Sequence, residues 1–246
     1  MTTEKGKIAA HSVLLAVGGK AGPQYGTVGE GYSMARELGL SVSPVYPVLT
    51  ALEAEGTAGL DGVRADGLVR LYRKDTPVFE EAGQIQFTKY GLSGIVMFNA
   101  SRFVRLGDGL AFGDYTVSID FAPGIPPEML LEAVRERQAL GEGALRTMLP
   151  KRLAEWLEAE APGETVRRAK DLRFTLTGVR GWKNAQATGG GVDLAEVDLE
   201  TMAASKIPGL YLSGEMLDEA GPCGGFNLHQ AWITGMKAGK GMAHDL

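Results

Sequence analysis

Residues 205–235 read SKIPGLYLSGEMLDEAGPCGGFNLHQAWITG, and this stretch decides the fold. The apolar run GLYLS (209–213) is typical of a strand that is buried on both faces. A glycine-rich loop (221–225) follows it and leads into a helix predicted over residues 227–243. Such a helix start presents free backbone N–H groups and the positive end of the helix dipole. It favours an anionic group or an electron-rich ring edge, although a ligand-free tight turn explains the glycines equally well.

Three side chains in this stretch are candidates for chemistry. Glu215 comes directly after the strand, where its carboxylate can accept hydrogen bonds from sugar hydroxyls; the alternative is an exposed glutamate in a turn. Cys223 precedes the helix, a position that lowers the pKa of a thiol, but without a resolving partner we favour a small residue packed in a crowded turn. His229, in the first helical turn, is either a proton donor that faces substrate or a packing histidine.

Glycine also ends an apolar run near the beginning of the sequence. The run SVLLAV (12–17) is predicted to be a buried strand. Gly18 and Gly19 end it, and their missing side chains allow a cofactor or a neighbouring strand to approach closely, with a simple turn as the alternative. Residues 29–38 have helical spacing, and Gly39 is predicted to be the left-handed residue after that helix.

A third glycine cluster, Gly189–Gly191, is followed by an acidic segment. Three successive glycines cost backbone entropy, so they predict either a site of close backbone approach or a flexible hinge. The acidic residues Glu196, Asp198 and Glu200 are most simply a solvated edge.

The middle of the chain has a different pattern, with short apolar runs separated by turn dipeptides. This pattern predicts an antiparallel sheet or a small barrel. The predicted strands are 67–72, 77–79, 84–87, 95–98, 115–121 and 173–178, and the predicted turns are at 61–62, 66–67 and 107–109. Helices predicted at 128–140, at 149–160 and from about 163 form a small helical subdomain over residues 126–170.

The sequence therefore predicts an α/β plus β architecture with two domains. One is an α/β domain built from two distant segments, 1–46 and 188–246. The other is an inserted β-rich domain, 47–187, which carries the helical subdomain.

Composition narrows the functional class. The 246 residues carry a net charge of −5, which argues against a nucleic-acid-binding face. One cysteine excludes an intrachain disulfide framework, and one cysteine with three histidines makes a structural zinc site implausible. We find no secretory signal, no apolar stretch long enough for a membrane helix, no G-x-G-x-x-G, no P-loop and no nucleophile elbow. These features predict a cytoplasmic protein without a membrane, nucleic-acid or metal site.

Three stretches together resemble a known family: LLAVGGKAGPQYGTVGEGYSMARELGLSVSPVYPVLTAL (14–52), KYGLSGIVMFNASRF (89–103) and the region 184–239, which contains ATGGGVDLAEVDLETM and the opening segment. They resemble the BaiN-like, aminoacetone-oxidase-like family of NAD(P)/FAD-dependent oxidoreductases. The resemblance implies a Rossmann-like FAD-binding domain interrupted by a β-barrel-like domain with a small helical subdomain.

The resemblance also implies a cofactor site. FAD is the implied cofactor, NAD(P)H is a possible electron donor, and the substrate is a small molecule near Tyr46 or Phe98. The resemblance assigns no catalytic residue, so Cys223 and His229 remain the candidates that the residues alone suggest. The implied FAD contacts are Gly18, Gly19, Gly214 and Glu215 along the cofactor, with Glu215 near the ribitol, and Gly224, Gly225, Phe226, Asn227 and Leu228 at the isoalloxazine ring.

This chain departs from the family in one respect, because the family's G-x-G-x-x-G unit for the FAD pyrophosphate is absent. We therefore expect a truncated form: a fragment, a shortened protein or one half of a split enzyme. A separate N-terminal half of the FAD domain, or a homo-oligomer, is expected to cover the exposed sheet edge. FAD binding by this chain alone is expected to be weaker than in the family, and a flavin-free binding or scaffold remnant is the alternative function.

Overall fold

The computed structural model describes residues 2–3, 6–159 and 161–244. The strands are β1 (Thr2–Thr3), β2 (Gly6–Lys7), β3 (Val13–Leu15), β4 (Tyr46–Val48), β5 (Leu52–Ala54), β6 (Arg64–Arg73), β7 (Thr76–Thr88), β8 (Gly91–Ser93), β9 (Tyr115–Asp120), β10 (Leu172–Val179), β11 (Ala187–Gly189) and β12 (Leu210–Leu212). The helices are α1 (Glu30–Glu37), α2 (Ile95–Ser101), α3 (Pro127–Ala139), α4 (Lys151–Glu158), α5 (Pro162–Lys170) and α6 (Phe226–His244).

These elements form two compact units. Met1–Val48 and Gly181–Leu246 make up the first, which we call the α/β unit, and Leu49–Arg180 make up the second, which we call the barrel unit. That the segments 1–46 and 188–246 bind FAD stays a prediction at this point.

The barrel unit contains a closed six-stranded barrel, in the order β10-β5-β8-β7-β6-β9. Strand β6 (RADGLVRLYR) has the alternating burial expected of a barrel strand: Val69 and Leu71 are buried, whereas Arg64 and Arg73 are exposed. Side chains with this period line one face of a strand and fill the interior of a small barrel. The predicted β-barrel is therefore confirmed.

The helical part of the barrel unit consists of α3, α4 and α5, which confirms the predicted helices. Their buried residues Val134, Leu153 and Val166 belong to the same hydrophobic core as the barrel strands. Lys170, at the end of α5, forms an ion pair with the buried Asp120 of β9 at 2.8 Å and donates a hydrogen bond to the Ala122 carbonyl. This pair fixes α5 to the barrel wall.

Three predictions for the barrel unit were wrong. The run 95–98, predicted as a strand, lies in α2; Val96 and Met97 are buried while Ile95 is exposed, which is a helical burial pattern. The runs 77–79 and 84–87 belong to the single strand β7, because Gly83 continues the strand and leaves room for Val96, 3.1 Å from where its Cβ would be. The dipeptide Asp66-Gly67, predicted as a turn, lies within β6.

The first and last residues of the barrel unit lie side by side. The Thr50 hydroxyl donates a hydrogen bond of 2.6 Å to the Arg180 carbonyl. The Arg180 amide donates one of 2.9 Å to the Ala51 carbonyl. The chain therefore enters and leaves this unit at one place.

The α/β unit is built around a parallel pair of strands. Strand β3 pairs with β12, with Val13 opposite Leu210 and Leu15 opposite Leu212, and β4 pairs antiparallel with β11. Buried residues of α1 and α6, among them Tyr32 and Ala238, share a core with β12. Helix α1 and Gly39, with φ +83°, match the prediction, whereas the strand predicted over 12–17 covers only Val13–Leu15.

Glu196 corrects the prediction of a solvated acidic edge. Asp198 and Glu200 are exposed, but Glu196 is only 4% exposed. Its Oε1 accepts hydrogen bonds from the Ser41 hydroxyl at 2.7 Å and from Lys206 Nζ at 2.9 Å. Its Oε2 is buried and has no hydrogen-bond partner among residues 2–3, 6–159 and 161–244. Tertiary packing at Ser41, distant in sequence, thus decides the environment of this carboxylate.

We expect Glu196→Gln to unfold with a weaker dependence on acid pH than the wild type. The Ser41 hydrogen bond, followed by that of Lys206, holds the pKa of Glu196 below its ordinary value of 4.5. The carboxylate therefore contributes stability that is complete above pH 4.5 and is lost as the pH falls through the lowered pKa of the folded state. Urea titrations between about pH 5 and pH 3 measure this slope. Equal slopes in the two proteins would contradict the prediction, and Ser41→Ala is expected to fall between them.

Candidate functional site

The loop after β3 brings two of the predicted residues together. Gly18 has φ +74°, and a Cβ there would meet no atom within 4 Å, so its surface is open. Gly19 is buried against Glu215, and a Cβ at this position would overlap Glu215 Oε1 and Thr188 Oγ1. Glycine is therefore required at position 19 by the approach of the Glu215 carboxylate.

Thr188, which the sequence analysis did not select, connects this loop to Glu215. The residue is fully buried in β11, and its Oγ1 accepts hydrogen bonds from the Lys20 amide at 2.8 Å and the Ala21 amide at 3.1 Å. Its own amide donates to Glu215 Oε1 at 2.7 Å. The only sequence signal for Thr188 is its position directly before three glycines. The glycines, and not this threonine, were selected as candidates for a site.

The Glu215 carboxylate is held on one side and open on the other. Oε1 accepts the Thr188 amide, whereas Oε2 makes no hydrogen bond to any residue that the structure describes. The Tyr32 hydroxyl donates to the Glu215 carbonyl at 3.3 Å. Burial raises the pKa of Tyr32, and the charge of Glu215 raises it further, so this hydroxyl stays protonated as a donor. Glu215 thus has one oxygen, Oε1, fixed between Gly19 and the Thr188 amide, and a second oxygen, Oε2, that can accept a further hydrogen bond.

Trp182, which is far away in sequence, contacts the loop that follows β3. Its carbonyl accepts a hydrogen bond from the Gly22 amide at 3.0 Å, and Lys20 Nζ lies 5.0 Å from the centre of its ring. The cation–π contact positions a positive charge within the glycine loop.

The triple glycine is a packed junction, so its interpretation as a flexible hinge was wrong. Each glycine is buried against a different part of the chain: a Cβ on Gly189 would lie 2.6 Å from Tyr46 Cζ, one on Gly190 would overlap the Pro44 carbonyl, and one on Gly191 would lie 2.6 Å from the Met216 carbonyl. The Tyr46 ring packed on Gly189 explains that glycine, and close approach of neighbouring backbone explains Gly190 and Gly191. The other residue predicted near substrate, Phe98, lies in α2 of the barrel unit.

The start of α6 is shaped by its own loop. Gly224 and Gly225 have φ of +122° and +87°, values that favour glycine. The Asn227 side chain accepts a hydrogen bond from the Gly221 amide at 2.8 Å and donates one to the Gly221 carbonyl at 3.0 Å. Asn227 therefore closes the loop, while the neighbouring Phe226 and Leu228 are exposed. Contact of these five residues with a flavin stays a prediction.

Gly214 ties the Glu215 turn to the same helix. The Gly214 amide donates a hydrogen bond of 2.9 Å to the Thr234 hydroxyl, and a Cβ on Gly214 would lie 3.6 Å from Ala231 Cβ. The turn Gly214–Met216 and the first turns of α6 are thus one structural piece. Gln230, in the second turn of α6, has a buried Nε2 without a hydrogen-bond partner in the described part of the chain.

The two weak catalytic candidates have different environments. Cys223 is half-buried, and its Sγ lies 3.9 Å from Gln186 Oε1. His229 is exposed on α6, and its amide continues the helix by donating to the Gly225 carbonyl at 3.0 Å. Neither environment assigns a catalytic role, so both remain candidates.

The α/β unit therefore contains a strand that leads into a glycine loop, a carboxylate oriented by the Thr188 amide, and a helix that begins after two left-handed glycines. A model of the HI0933-like protein Rossmann domain matches residues 1–241. The chain belongs to the HI0933-like Rossmann-domain family. Within residues 2–3, 6–159 and 161–244 no helix has the length and apolar character to span a bilayer, and no group of His, Cys, Asp or Glu could hold a metal ion.

Curated relatives agree with this assignment. The chain is 34% identical to a 3-dehydro-bile acid delta(4,6)-reductase of Clostridium scindens, over 96% of this chain and 63% of the relative. It is 31% identical to a ribosomal RNA dihydrouridine synthase of Escherichia coli and 28% identical to one of Haemophilus influenzae, over 59% and 58% of those proteins. The predicted membership of the BaiN-like flavoprotein family is thereby confirmed. The chain spans about three fifths of the length of these relatives.

Proposed function

We propose that this chain forms part of the FAD site of an oxidoreductase, with Glu215 as the acceptor for the ribitol hydroxyls. The observation that carries the proposal is the Glu215 carboxylate, whose Oε1 lies beside Gly19 and is fixed by the Thr188 amide, while Oε2 makes no hydrogen bond to any described residue. An isolated exposed glutamate in a turn has no need for such support. A polyhydroxylated chain running along Gly18 and Gly19 would use the open oxygen.

The donors and acceptors present fit a flavin. Glu215 and Thr188 fill the space beside the buried Gly19, whereas a Cβ on the preceding Gly18 would meet no atom within 4 Å, so a ligand can approach the loop there. Gln230 Nε2 is a buried donor with no partner in the described residues. When bound, the flavin would supply hydride or electron transfer through N5. The α6 start would favour negative charge on the reduced ring through its dipole and free N–H groups.

The names of the relatives suggest a substrate class. One is named a 3-dehydro-bile acid delta(4,6)-reductase, and the other two are named ribosomal RNA dihydrouridine synthases. Each of these reactions is a reduction of a carbon–carbon double bond conjugated with a carbonyl. We extend this reaction class to an oxidoreductase that contains this chain, with NAD(P)H as the possible electron donor and a small conjugated carbonyl compound as substrate.

A visible flavin spectrum and a reoxidation assay test the proposal. Purified protein is titrated with FAD, reduced anaerobically with dithionite, and then mixed with 2-cyclohexenone or, as the unconjugated control, cyclohexene. Flavin uptake followed by reoxidation with the enone alone supports the proposed reaction class. Protein that takes up no FAD in this titration contradicts the proposal and favours the flavin-free scaffold.

The Glu215→Ala variant tests whether the Glu215 carboxylate contributes to FAD binding. We expect it to bind FAD about 10- to 100-fold more weakly, because a charge-assisted hydrogen bond contributes roughly 1.5–3 kcal/mol. Fluorescence quenching of FAD measures the affinity. Glu219→Ala, at an exposed position four residues on, is the matched control with unchanged affinity. Equal affinity of the Glu215 variant and the wild type would remove Glu215 from the site.

A further inference from the structure

Two loops of the α/β unit carry basic charge without a carboxylate. Residues 18–29 (GGKAGPQYGTVG) contain Lys20 as their one charged residue, and residues 181–192 (GWKNAQATGGGV) contain Lys183 as theirs. The chain as a whole has a net charge of −5, so these two loops differ in sign from the average of the molecule. Local charge of one sign concentrates ligands of the opposite sign, which favours an anionic ligand at this surface.

Hydrogen bonds hold the two loops side by side. The Gly22 amide donates to the Trp182 carbonyl at 3.0 Å, and Gln24 Nε2 donates to the Lys183 carbonyl at 3.2 Å. The first loop turns here, because the Tyr25 amide donates to the Gly22 carbonyl at 2.9 Å. One surface, which we call the lysine patch, therefore includes Lys20, Tyr25, Trp182 and Lys183.

Both lysines of the patch are available to a ligand. Lys20 Cβ and Cγ lie over Gly29, 3.2 and 3.4 Å from where its Cβ would be, and Lys20 Nζ lies 5.0 Å from the centre of the Trp182 ring. Lys183 is exposed. With the residues that the structure describes, neither ammonium group forms an ion pair. The patch thus holds one positioned and one exposed positive charge that no carboxylate neutralises.

The patch also presents an aromatic ring to solvent. Tyr25 is 88% exposed, yet its position is defined, because its ring lies over Gly22, where a Cβ would be 3.0 Å from Tyr25 Cδ2. A ring held in this way is a surface on which a nucleobase can stack, since every base has a π face. Positive charge beside a stacking surface indicates a ligand that combines phosphate with a flat heteroaromatic ring.

The amount of charge indicates a dinucleotide and not a nucleic acid. A nucleic acid is bound through many phosphate contacts along its strand, whereas this patch offers two lysines. Two lysines match the few phosphates of a nicotinamide dinucleotide. They also favour NADPH over NADH, because NADPH carries an additional phosphate on its adenosine ribose that a basic side chain accommodates.

The lysine patch adjoins the candidate flavin site. Thr188 Oγ1 accepts the Lys20 amide at 2.8 Å, and the Thr188 amide donates to Glu215 Oε1 at 2.7 Å. Lys20 also directly follows Gly18 and Gly19, the predicted flavin contacts, in the chain. A nucleotide on the patch therefore lies on the loop that contributes to the proposed site.

We propose that the lysine patch binds the adenosine phosphate part of NADPH and selects NADPH over NADH. Lys20 and Lys183 bind phosphate, and the Tyr25 ring stacks on the adenine. The inference rests on the proposed function, because the nucleotide serves as electron donor to the flavin beside Glu215. A hydride, one proton with two electrons, passes from the nicotinamide to the oxidised flavin, so the flavin is reduced and NADP⁺ leaves.

Fluorescence of the reduced nicotinamide tests the preference directly. The full chain, without added FAD, is titrated with NADPH and separately with NADH. We expect NADPH to bind roughly 10-fold more tightly, because its additional phosphate gains a charge-assisted hydrogen bond. Lys20→Met with Lys183→Met is expected to abolish this preference while keeping the side-chain stem over Gly29. Lys89→Met, at an exposed lysine of the barrel unit, is the matched control that keeps it.

Tyr25 variants test the stacking surface. Tyr25→Ala is expected to weaken NADPH and NADH by the same factor, roughly 10-fold, because both nucleotides contain the adenine. Tyr25→Phe retains the ring and is expected to bind like the wild type. Thermal unfolding confirms that each variant is folded, and Lys183→Met alone, at an exposed position, is expected to reduce the preference for NADPH.

The outcomes separate this inference from the proposed function. NADPH binding with the expected pattern supports the lysine patch even where the protein takes up no FAD, a result that contradicts the flavin site alone. FAD uptake without nucleotide binding supports the flavin site and overturns the lysine patch. Equal affinity for NADPH and NADH, a preference that survives both lysine substitutions, or displacement of NADPH by an equal concentration of inorganic phosphate or of a uridine oligonucleotide would each overturn the lysine patch as well.

Discussion

Gly190→Ala is expected to unfold the α/β unit while the barrel unit stays folded. At Gly190 the backbone has φ +75°, which costs an alanine roughly 1–2 kcal/mol. In addition, the new Cβ would overlap the Pro44 carbonyl oxygen, and neither group belongs to a flexible side chain that could move aside. The combined cost exceeds about 4 kcal/mol, a large part of the stability of a domain of this size.

Gly39→Ala is the matched control for this variant. Gly39 has a similar left-handed backbone, φ +83°, but a Cβ there would meet no atom within 4 Å. It therefore carries the conformational cost without the overlap, and we expect a loss of roughly 1–2 kcal/mol. Hydrogen exchange read by mass spectrometry reports each unit separately. Equal losses in the two variants would show that the junction at 189–191 relaxes and is not rigidly packed.

Phe87→Ala is expected to destabilise the barrel unit and leave the α/β unit folded. We expect it to lower the free energy of unfolding of the barrel unit by about 3–5 kcal/mol. Phe87 is fully buried in β7, and its ring lies 6.2 Å from that of Phe174 and 6.5 Å from that of Phe121. Truncation removes both ring contacts and leaves a cavity that a closed barrel cannot collapse to fill.

Phe103→Ala removes the same atoms where the ring is 37% exposed. We expect it to cost less than half as much, because part of the ring is already in water and no enclosed cavity results. Urea unfolding followed by circular dichroism, with hydrogen exchange to assign each transition, measures both variants. A loss in the α/β unit equal to that in the barrel unit would mean that the two units unfold as one.

Much of this architecture could be predicted from local sequence. The alternation in β6, the helix signals at Pro127 and Gly39, and the strand GLYLS each specify an element through its own residues. The secondary-structure predictions were wrong where packing against a residue distant in sequence determines the local conformation. Ile95 to Phe98 have strand-like composition, but Gly94 starts a helix whose Val96 fits over Gly83 of β7. Propensity for strand is weak compared with such packing.

The candidate site, like the fold, could be predicted from sequence only where local residues determine it. Gly19 and Glu215 were selected because glycine and a carboxylate at strand ends have a general physical meaning, and the structure brings them together. Thr188 was missed because its role depends on the Lys20 and Ala21 amides, which are far away in sequence. Glu196 was misassigned for the same reason, since its partners Ser41 and Lys206 lie on separate segments.

The hydrogen bonds that join Thr50 and Ala51 to Arg180 have a consequence for how such proteins diversify. Because the barrel unit begins and ends at one point, it can be exchanged as a whole for another domain. A short linker from Arg180 to Leu49 would circularise it at little cost in loop-closure entropy. A lineage could therefore replace the whole barrel in a single recombination event and keep the hydrogen bonds that join Thr188, Glu215 and the loop after β3 in the α/β unit.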